Sequence, residues 1–368
     1  MLWETSDARS VSDYPPENKL LEIAPDGAAL GIARTFPDES AGAEPEYLSD
    51  YSAKDRPWDE HRSQADDVEA IYSSACGSVW FSRLGERMKV CSPVLGFAWA
   101  PEKDDPAVLG LKLRDAHFCR VRHCPVCQWR RSLMWSARFL QAMPRVLAEY
   151  PKARFIFLTF TLKNVAVNEL RVTCTQISRA WGRLCKRKEF AAVLGWLRAV
   201  EVTRGENGSA HPHCHVLMMV SEDYFHKSDK YMTHAEWRQA WRKSLRLDYD
   251  PEVCVRAVPK RGMPAKGQND DPLSGLLNAA RETLKYCVKP SDMTADPSWF
   301  LELTRQVHNL KFVTTGGVLK GMLQESQETD EDLILLGDGA ADEESPKLYF
   351  GWQRPARRYK RQRGGAIQ

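Results

Sequence analysis

The amino-acid sequence predicts an α+β fold: a central antiparallel sheet with flanking helices and an N-terminal metal-bearing extension. Three patterns indicate this class. Between residues 154 and 220 the apolar periodicity reads as strand, helix, strand and strand. The turn-forming segment Arg204–Ala210 is short enough to close an antiparallel hairpin. Three cysteines lie within Cys119–Cys127, and such a cluster in a long cytosolic chain favours metal binding over disulfides.

Length and composition exclude several classes of protein. The chain has 368 residues, of which 43% are hydrophobic, so it can bury a sizeable core and cannot be disordered throughout. Its apolar runs are too short to span a membrane, and its polar, acidic beginning lacks the pattern of a signal peptide. We therefore expect a cytoplasmic protein without a membrane partner.

Charge is strongly segregated along the chain, although the net charge is only +3. Residues 1–60 carry −9, residues 324–346 carry nine acidic and no basic residues, and residues 61–323 carry about +14. The positive charge of residues 61–323 suggests a polyanionic partner, and the basic residues of Arg354–Arg363 add to that positive charge. We predict five regions: an acidic, mostly disordered tail (1–66), a zinc-bearing region (67–150), an α+β domain (151–323), an acidic linker (324–346) and a basic tail (347–368).

The elements of the body follow from periodicity, in chain order. A helix begins at Trp129, after the cysteines, and we expect the later helices to pack on one face of the sheet. The predicted elements are a strand (Arg154–Leu162), a helix (Val167–Phe190), two hairpin strands (Leu197–Thr203 and His213–Val220), a helix (Thr233–Leu247), a strand (Glu252–Val258) and a helix (Leu273–Lys289).

Three histidines occupy alternate positions along the second hairpin strand. His211, His213 and His215 therefore project from one face of the sheet, which indicates a metal-binding face and not scattered surface histidines. A hairpin centred near Asn207 places Glu201 opposite His213, where its carboxylate can be a third ligand. Two imidazoles and one carboxylate with open positions suit Mg²⁺ or Mn²⁺ over a phosphate, and also Zn²⁺.

A second group of reactive residues lies in the last predicted helix. Glu282, Tyr286 and Lys289 stand at i, i+4 and i+7, which places them on one helical face. Alone, Tyr286 reads as a half-buried core residue. Beside a metal-binding face, its phenol can attack a polarised phosphate while a nearby lysine stabilises charge.

Three segments in this order resemble those of plasmid rolling-circle replication initiators, which belong to the HUH endonucleases. The resemblance runs from about residue 76 to residue 317, and its segments are Phe157–Thr161, His211–His215 and Lys285–Lys289. It implies a ferredoxin- or RRM-like sheet and a tyrosine that nicks one strand at the plasmid origin. That tyrosine would keep the 5′ phosphate covalently and free a 3′ hydroxyl as primer.

The resemblance also implies roles for individual residues. Tyr286 matches the nucleophile, His213 and His215 match the metal-binding pair, and Lys289 matches the basic residue after the tyrosine. Some initiators carry a second tyrosine four positions earlier, where this chain has Glu282. We expect Glu282 to activate water and end the reaction by hydrolysis, the alternative being a structural pair within the helix.

The cysteine cluster predicts a structural zinc site. Cys119, Cys124 and Cys127 have tetrahedral-site spacing, and we prefer Cys76 as fourth ligand because Cys76–Trp80 resembles the family's upstream cysteine segment. Four thiolates leave no open position, so this site should shape a DNA-contacting surface. The alternative fourth ligands are Cys91, His117 and His123, and the candidate DNA-binding residues around the cluster are Arg120, Arg122, Arg130 and Arg131.

Partners and rival functions follow from the same residues. The expected substrate is single-stranded or hairpin origin DNA, and a host helicase is the expected protein partner because the sequence has no Walker-type motif; an oligomer is possible. The rivals are an HUH relaxase or transposase and a non-catalytic zinc-containing DNA-binding regulator. Relaxases usually place the tyrosine before the histidines, whereas Tyr286 follows them here.

Overall fold

The structure is a computed structural model that describes residues 45–75, 77–102, 105–226, 230–259, 273–285, 287–320, 328–334 and 346–363. Its helices are α1 (Leu48–Tyr51), α2 (Arg56–Ser74), α3 (Val79–Lys89), α4 (Pro125–Glu149), α5 (Leu170–Leu184), α6 (His234–Leu245), α7 (Ser274–Leu284), α8 (Pro290–Ala295), α9 (Pro297–Val307) and α10 (Asp330–Ile334). Its strands are β1 (Val94–Pro101), β2 (Leu109–Ala116), β3 (Arg154–Thr161), β4 (Val193–Arg204), β5 (Ala210–Val220), β6 (Val253–Ala257), β7 (Val313–Gly317), β8 (Lys347–Gln353) and β9 (Arg358–Arg361). Within these residues, each helix is too short or too polar to cross a membrane.

The central sheet has five strands in the order β6-β3-β5-β4-β7, and every neighbouring pair is antiparallel. From β3 to β6 the chain runs β-α-β-β-α-β, as the periodicity predicted. The turn between β4 and β5 is closed by a hydrogen bond from Gly205 N to Ser209 O, with Gly208 at φ 76°, a conformation that favours glycine. The antiparallel α+β architecture is therefore confirmed.

Helices cover both faces of this sheet, so the expectation of one covered face was wrong. Cys214, Val216 and Met218 of β5 belong to the main core, which includes apolar residues of α5 and α6. Leu217 and Met219, on alternate positions, belong to a second core with residues of α4 and α7. The reason is that β3 and β5 are apolar on both faces, and each face needs a cover.

A second antiparallel sheet has the order β2-β1-β8-β9 and joins the two ends of the chain. Strand β8 pairs with β1, so residues beyond 346 complete a sheet whose other half lies before residue 117. Phe350 and Tyr359 have no exposed surface. The described part of the predicted basic tail is thus a structural element.

Helices α1 and α2 lie where the composition predicted disorder up to residue 66. Trp58 and Val68 are almost fully buried, so this segment contributes to the core. Its acidic residues are neutralised from the other end of the chain: Asp66 pairs with Arg354 at 3.2 Å and Asp67 with Arg357 at 2.8 Å. Disorder was predicted because residues 1–66 mix proline, serine, alanine and acidic residues without a helical or strand period. Residues 1–44 lie outside the described part.

Candidate active site

Glu201, His213 and His215 form a compact cluster at the turn end of β4 and β5. One ligand atom from each lies within 4.8 Å of the others. The Nε2 atoms of His215 and His213 lie 3.1 and 3.4 Å from Oε2 of Glu201. The register pairs Glu201 with His213, which confirms the arrangement predicted from the hairpin.

Neighbouring groups orient both imidazoles. The Nδ1 of His215 lies 3.1 Å from Oγ1 of Thr159, its partner residue on β3, and Phe157 stacks on its ring at 5.6 Å. The Nδ1 of His213 lies 3.3 Å from the carbonyl oxygen of His211, to which it donates when Nδ1 carries a proton. Each ring thereby directs Nε2 toward Glu201, as outer contacts of metal-bound histidines commonly do. Thr159 belongs to the segment Phe157–Thr161 that carries the family resemblance, but only the pairing of β3 with β5 shows that Thr159 contacts His215.

The protonation states of the cluster suit a divalent cation. Burial would raise the pKa of Glu201, but hydrogen bonds from His213 and His215 outweigh it and hold that pKa well below its ordinary range. Burial lowers the pKa of His215, against the hydrogen bond with Glu201, and favours its neutral form. A charged carboxylate beside neutral imidazole is a donor set for Mg²⁺, Mn²⁺ or Zn²⁺.

The third histidine of the strand lies outside the cluster. The Nδ1 of His211 lies 2.7 Å from Oδ1 of Asn164, which fixes this ring at the edge of the site. Burial is the main cause that lowers the pKa of His211, and the charge of His213 adds to it. The group that could hold a metal ion is therefore Glu201 with His213 and His215, the three residues that the sequence analysis proposed as ligands.

Tyr286 lies outside the described residues, but its chain neighbours border the cluster. The amide of Val202, next to Glu201, donates to the carbonyl of Cys287 at 2.9 Å. The amide and thiol of Cys287 donate to Oε1 of Gln128 at 3.3 and 3.0 Å. On the other side, the charge of Lys285 contributes to lowering the pKa of Glu201. Gln128, which sequence reasoning missed, fixes this segment to α4.

The prediction that one continuous helix carries Glu282 and Lys289 was wrong. Helix α7 ends at Leu284, Lys285 has extended backbone angles, and Lys289 is the N-cap of α8. Pro290 explains why Lys289 is not helical and why α8 begins here, because the residue before proline disfavours helical angles and proline suits the first position of a helix. Glu282 instead forms an ion pair with Lys285 at 2.7 Å.

Four cysteine sulfurs form a second cluster, between α3, the β1–β2 hairpin and the start of α4. Cys91, Cys119, Cys124 and Cys127 are all buried, and their sulfurs lie within 4.8 Å of one another. Such a set fits a tetrahedral zinc ion with no open position. The fourth sulfur is that of Cys91, an alternative in the sequence analysis; the preferred Cys76 lies outside the described residues.

The other two alternative ligands have different partners. His117 is exposed and lies 3.6 Å from Asp330. His123 is buried, and its Nδ1 lies 3.2 Å from the hydroxyls of both Tyr72 and Thr304. The cysteine cluster is therefore complete without a histidine.

The four arginines predicted to contact DNA divide into two pairs. Arg122 donates to the Leu310 carbonyl at 2.5 Å, and the buried Arg130 donates to the Leu333 carbonyl at 2.8 Å. These two guanidinium groups serve packing. Arg120 and Arg131 instead reach carboxylates, Asp330 at 2.6 Å and Glu328 at 2.7 Å. The pairing with carboxylates makes this second pair the better candidate for phosphate contact.

Comparisons with known proteins agree on one family. A sequence profile of a family described as "Replication protein" matches residues 110–360. The chain is 34% identical over 299 residues to a "Protein rep" of Lactiplantibacillus plantarum, covering 78% of this chain and 88% of that protein. It is 35% identical over 262 residues to a "Protein rep" of Streptococcus pneumoniae, covering 69% and 77%. No solved structure gives a significant match.

Proposed function

The chain belongs to the replication protein family of plasmid initiators, and on that premise we propose that it is a rolling-circle initiator of the HUH endonuclease type. In this proposal it nicks one strand of origin DNA as a metal-dependent tyrosine transesterase. The observation that carries the proposal is the buried cluster of Glu201, His213 and His215, bordered by the residues on both sides of Tyr286.

The metal would be held by Glu201, His213 and His215. When bound, Mn²⁺ or Mg²⁺ supplies Lewis-acid polarisation of a phosphate oxygen. The Tyr286 phenol gives up its proton and forms a bond to phosphorus, while the bond to the 3′ oxygen breaks. The 3′ oxygen takes up a proton and becomes the primer hydroxyl, and the 5′ phosphate stays on Tyr286. Lys289 and Lys285 offset negative charge in this segment.

The remaining parts of the proposal follow from the fold. The β-α-β-β-α-β order with the histidines on an inner strand supports the ferredoxin-like arrangement that the resemblance implies. A zinc ion at Cys91, Cys119, Cys124 and Cys127 would be structural. The protein would act in the bacterial cytoplasm. It would depend on a host helicase to separate the strands, since its sequence has no Walker-type motif.

The first prediction tests the nucleophile. With Mn²⁺ or Mg²⁺ and a single-stranded oligonucleotide carrying the origin nick site, the protein should form a covalent adduct visible by mass spectrometry. Tyr286→Phe should abolish the adduct and leave oligonucleotide binding nearly intact, because only the attacking oxygen is lost. Tyr231→Phe, at an exposed tyrosine, is the matched control and should react normally. Adduct formation by Tyr286→Phe, or at full rate in chelator, would exclude the mechanism.

The same assay separates the rival functions. A non-catalytic regulator predicts origin binding without any adduct. A relaxase or transposase predicts an adduct on its own transfer or transposon-end sequence and not on the plasmid's replication origin.

A further inference from the structure

A short acidic segment, residues 328–334, lies against the arginine side of α4. Glu328 makes a two-point contact with Arg131, at 2.7 and 3.0 Å. Asp332 lies 2.7 Å from Arg138, two turns further along α4. These partners are separated by more than 190 positions in the chain, so the contacts are tertiary and not local.

A third carboxylate of the acidic segment reaches the zinc-cluster loop. Asp330 lies 2.6 Å from Arg120, which directly follows Cys119, and 3.6 Å from Nδ1 of His117. Three carboxylates at alternate positions, 328, 330 and 332, are thus matched to three guanidinium groups on one surface.

The acidic segment also has an apolar anchor. Leu333 has no exposed surface, and its carbonyl accepts hydrogen bonds from Nε and Nη2 of Arg130 at 2.8 and 2.6 Å. Arg130 lies over the rings of Trp58 and Trp129 at 5.1 and 5.3 Å. The acidic segment is therefore also held at the arginines by contacts that do not involve its carboxylates, namely the buried Leu333 side chain and the Leu333 carbonyl.

This arginine surface adjoins the catalytic segment. Gln128, one turn before Arg131 on α4, binds the amide of Cys287, the residue after Tyr286. Burial raises the pKa of the Cys287 thiol, and the charge of Arg131 acts against it, as expected of a neighbouring guanidinium. A strand whose phosphate reaches Tyr286 therefore passes close to Arg131 and the carboxylate that now covers it.

We propose that the acidic segment is a built-in competitor of DNA, whose carboxylates occupy the positions that backbone phosphates take at Arg120, Arg131 and Arg138. Guanidinium groups bind phosphate and carboxylate oxygens with the same two-point geometry, so one ligand excludes the other. The inference rests on the proposed function in taking DNA as the ligand. Origin binding then includes displacement of the acidic segment from the arginines. The free energy that this displacement costs lowers the affinity for nonspecific DNA.

The test is equilibrium binding of a fluorescent single-stranded oligonucleotide to the full chain carrying Tyr286→Phe, in chelator, so that no strand is cut. Glu328→Gln, Asp330→Asn and Asp332→Asn are combined in one variant. Its Kd should fall about fivefold or more, since three partly exposed ion pairs no longer oppose binding. The matched control combines Glu86→Gln, Glu222→Gln and Glu302→Gln, which removes the same charge from pairs with Lys89, Lys152 and Arg305. The control should change Kd by about twofold or less at 0.15 M salt, because distant surface charges are screened.

A second variant tests the anchor without changing charge. Leu333→Ala should loosen the acidic segment and also tighten DNA binding. Unchanged or weaker DNA binding by the triple variant overturns the proposal, and the acidic segment then has only a structural role. Equal tightening of DNA binding by the control variant overturns the proposal as well. Failure of the proposed function gives a different result. If the triple variant binds DNA more tightly but protein that retains Tyr286 forms no adduct, the acidic segment is still a competitor of DNA and the proposed nuclease activity is excluded.

Discussion

Glu201 determines the charge of the candidate metal site. Its side chain is only 4% exposed, and its nearest polar partners are the imidazoles of His213 and His215. A buried carboxylate needs charged or hydrogen-bonding partners. A divalent cation held between the three residues would be such a partner, which supports the proposal that this cluster is a metal site.

Glu282 allows a test of how the reaction ends. It lies in the last turn of α7, four positions before Tyr286, and pairs with Lys285, whose charge reaches Glu201. If Glu282 activates the terminating water, Glu282→Gln keeps its size but cannot accept the proton, so the Tyr286 adduct should form normally and decay at least about tenfold more slowly. Adduct formation and decay are measured separately on the nick-site oligonucleotide.

The matched control for Glu282 is Glu302→Gln, which removes a carboxylate from another i,i+3 pair, with Arg305. It should leave both rates unchanged. A purely structural Glu282 would show normal decay in the variant and a loss of stability of about 0.5 kcal/mol or less. Loss of the first cut would instead assign Glu282 to activation of Tyr286.

At the scale of helices and strands, features that depend on residues close together in the sequence were predicted well. Features that depend on residues far apart in the sequence were not. The β4–β5 hairpin was predictable because its turn residues and its alternating histidines lie within one short segment. Helix α6 also begins where expected, since Thr233 and Glu236 form a capping box. The end of α7 was missed because apolar spacing continues past Leu284 while the proline at 290 was given no weight.

The cluster of Cys91, Cys119, Cys124 and Cys127 contains one candidate ligand that sequence spacing did not identify as preferred. Cys91 precedes Cys119 by the whole β1–β2 hairpin, whose pairing returns the chain to the same place. Sequence spacing alone cannot reveal that the hairpin brings Cys91 close to Cys119. Cys76 was therefore preferred as the fourth ligand because of the family resemblance.

Replacing Cys91 tests this assignment. Cys91→Ser should remove the bound zinc and lower the free energy of unfolding by about 3 kcal/mol or more, because metal binding contributes directly to folding. Zinc is measured by elemental analysis and stability by denaturant titration. Cys174→Ser, at a buried cysteine outside the cluster, is the control and should retain zinc. A full complement of zinc in Cys91→Ser would show that another residue is the fourth ligand.

At the scale of the whole molecule, the charged segments neutralise one another. The basic residues beyond 346 pair with acidic residues of 46–69, including Arg358 with Asp50 at 2.5 Å, and the acidic segment 328–334 pairs with α4. The sequence predicted two solvated tails and a linker, because segment charge does not show which segments meet. The basic surface left for DNA is therefore smaller than the composition implies.

Truncation tests whether the C-terminal strands belong to the N-terminal structure. Ending the chain at Pro346 removes β8 and β9, leaves β1 with one partner strand, and deletes Phe350 and Tyr359, which are completely buried. Two such aromatic side chains contribute about 3 to 6 kcal/mol by burial. Most of the stability of an ordinary domain would be lost, so α2, β1 and the cysteine cluster should become sensitive to protease and lose zinc. Ending the chain at Arg363 keeps both strands and is the control, which should retain zinc and protease resistance. If the shorter chain also stays resistant and zinc-loaded, the four-stranded sheet does not depend on β8 and β9, and residues after 346 act as the tail that their composition predicted.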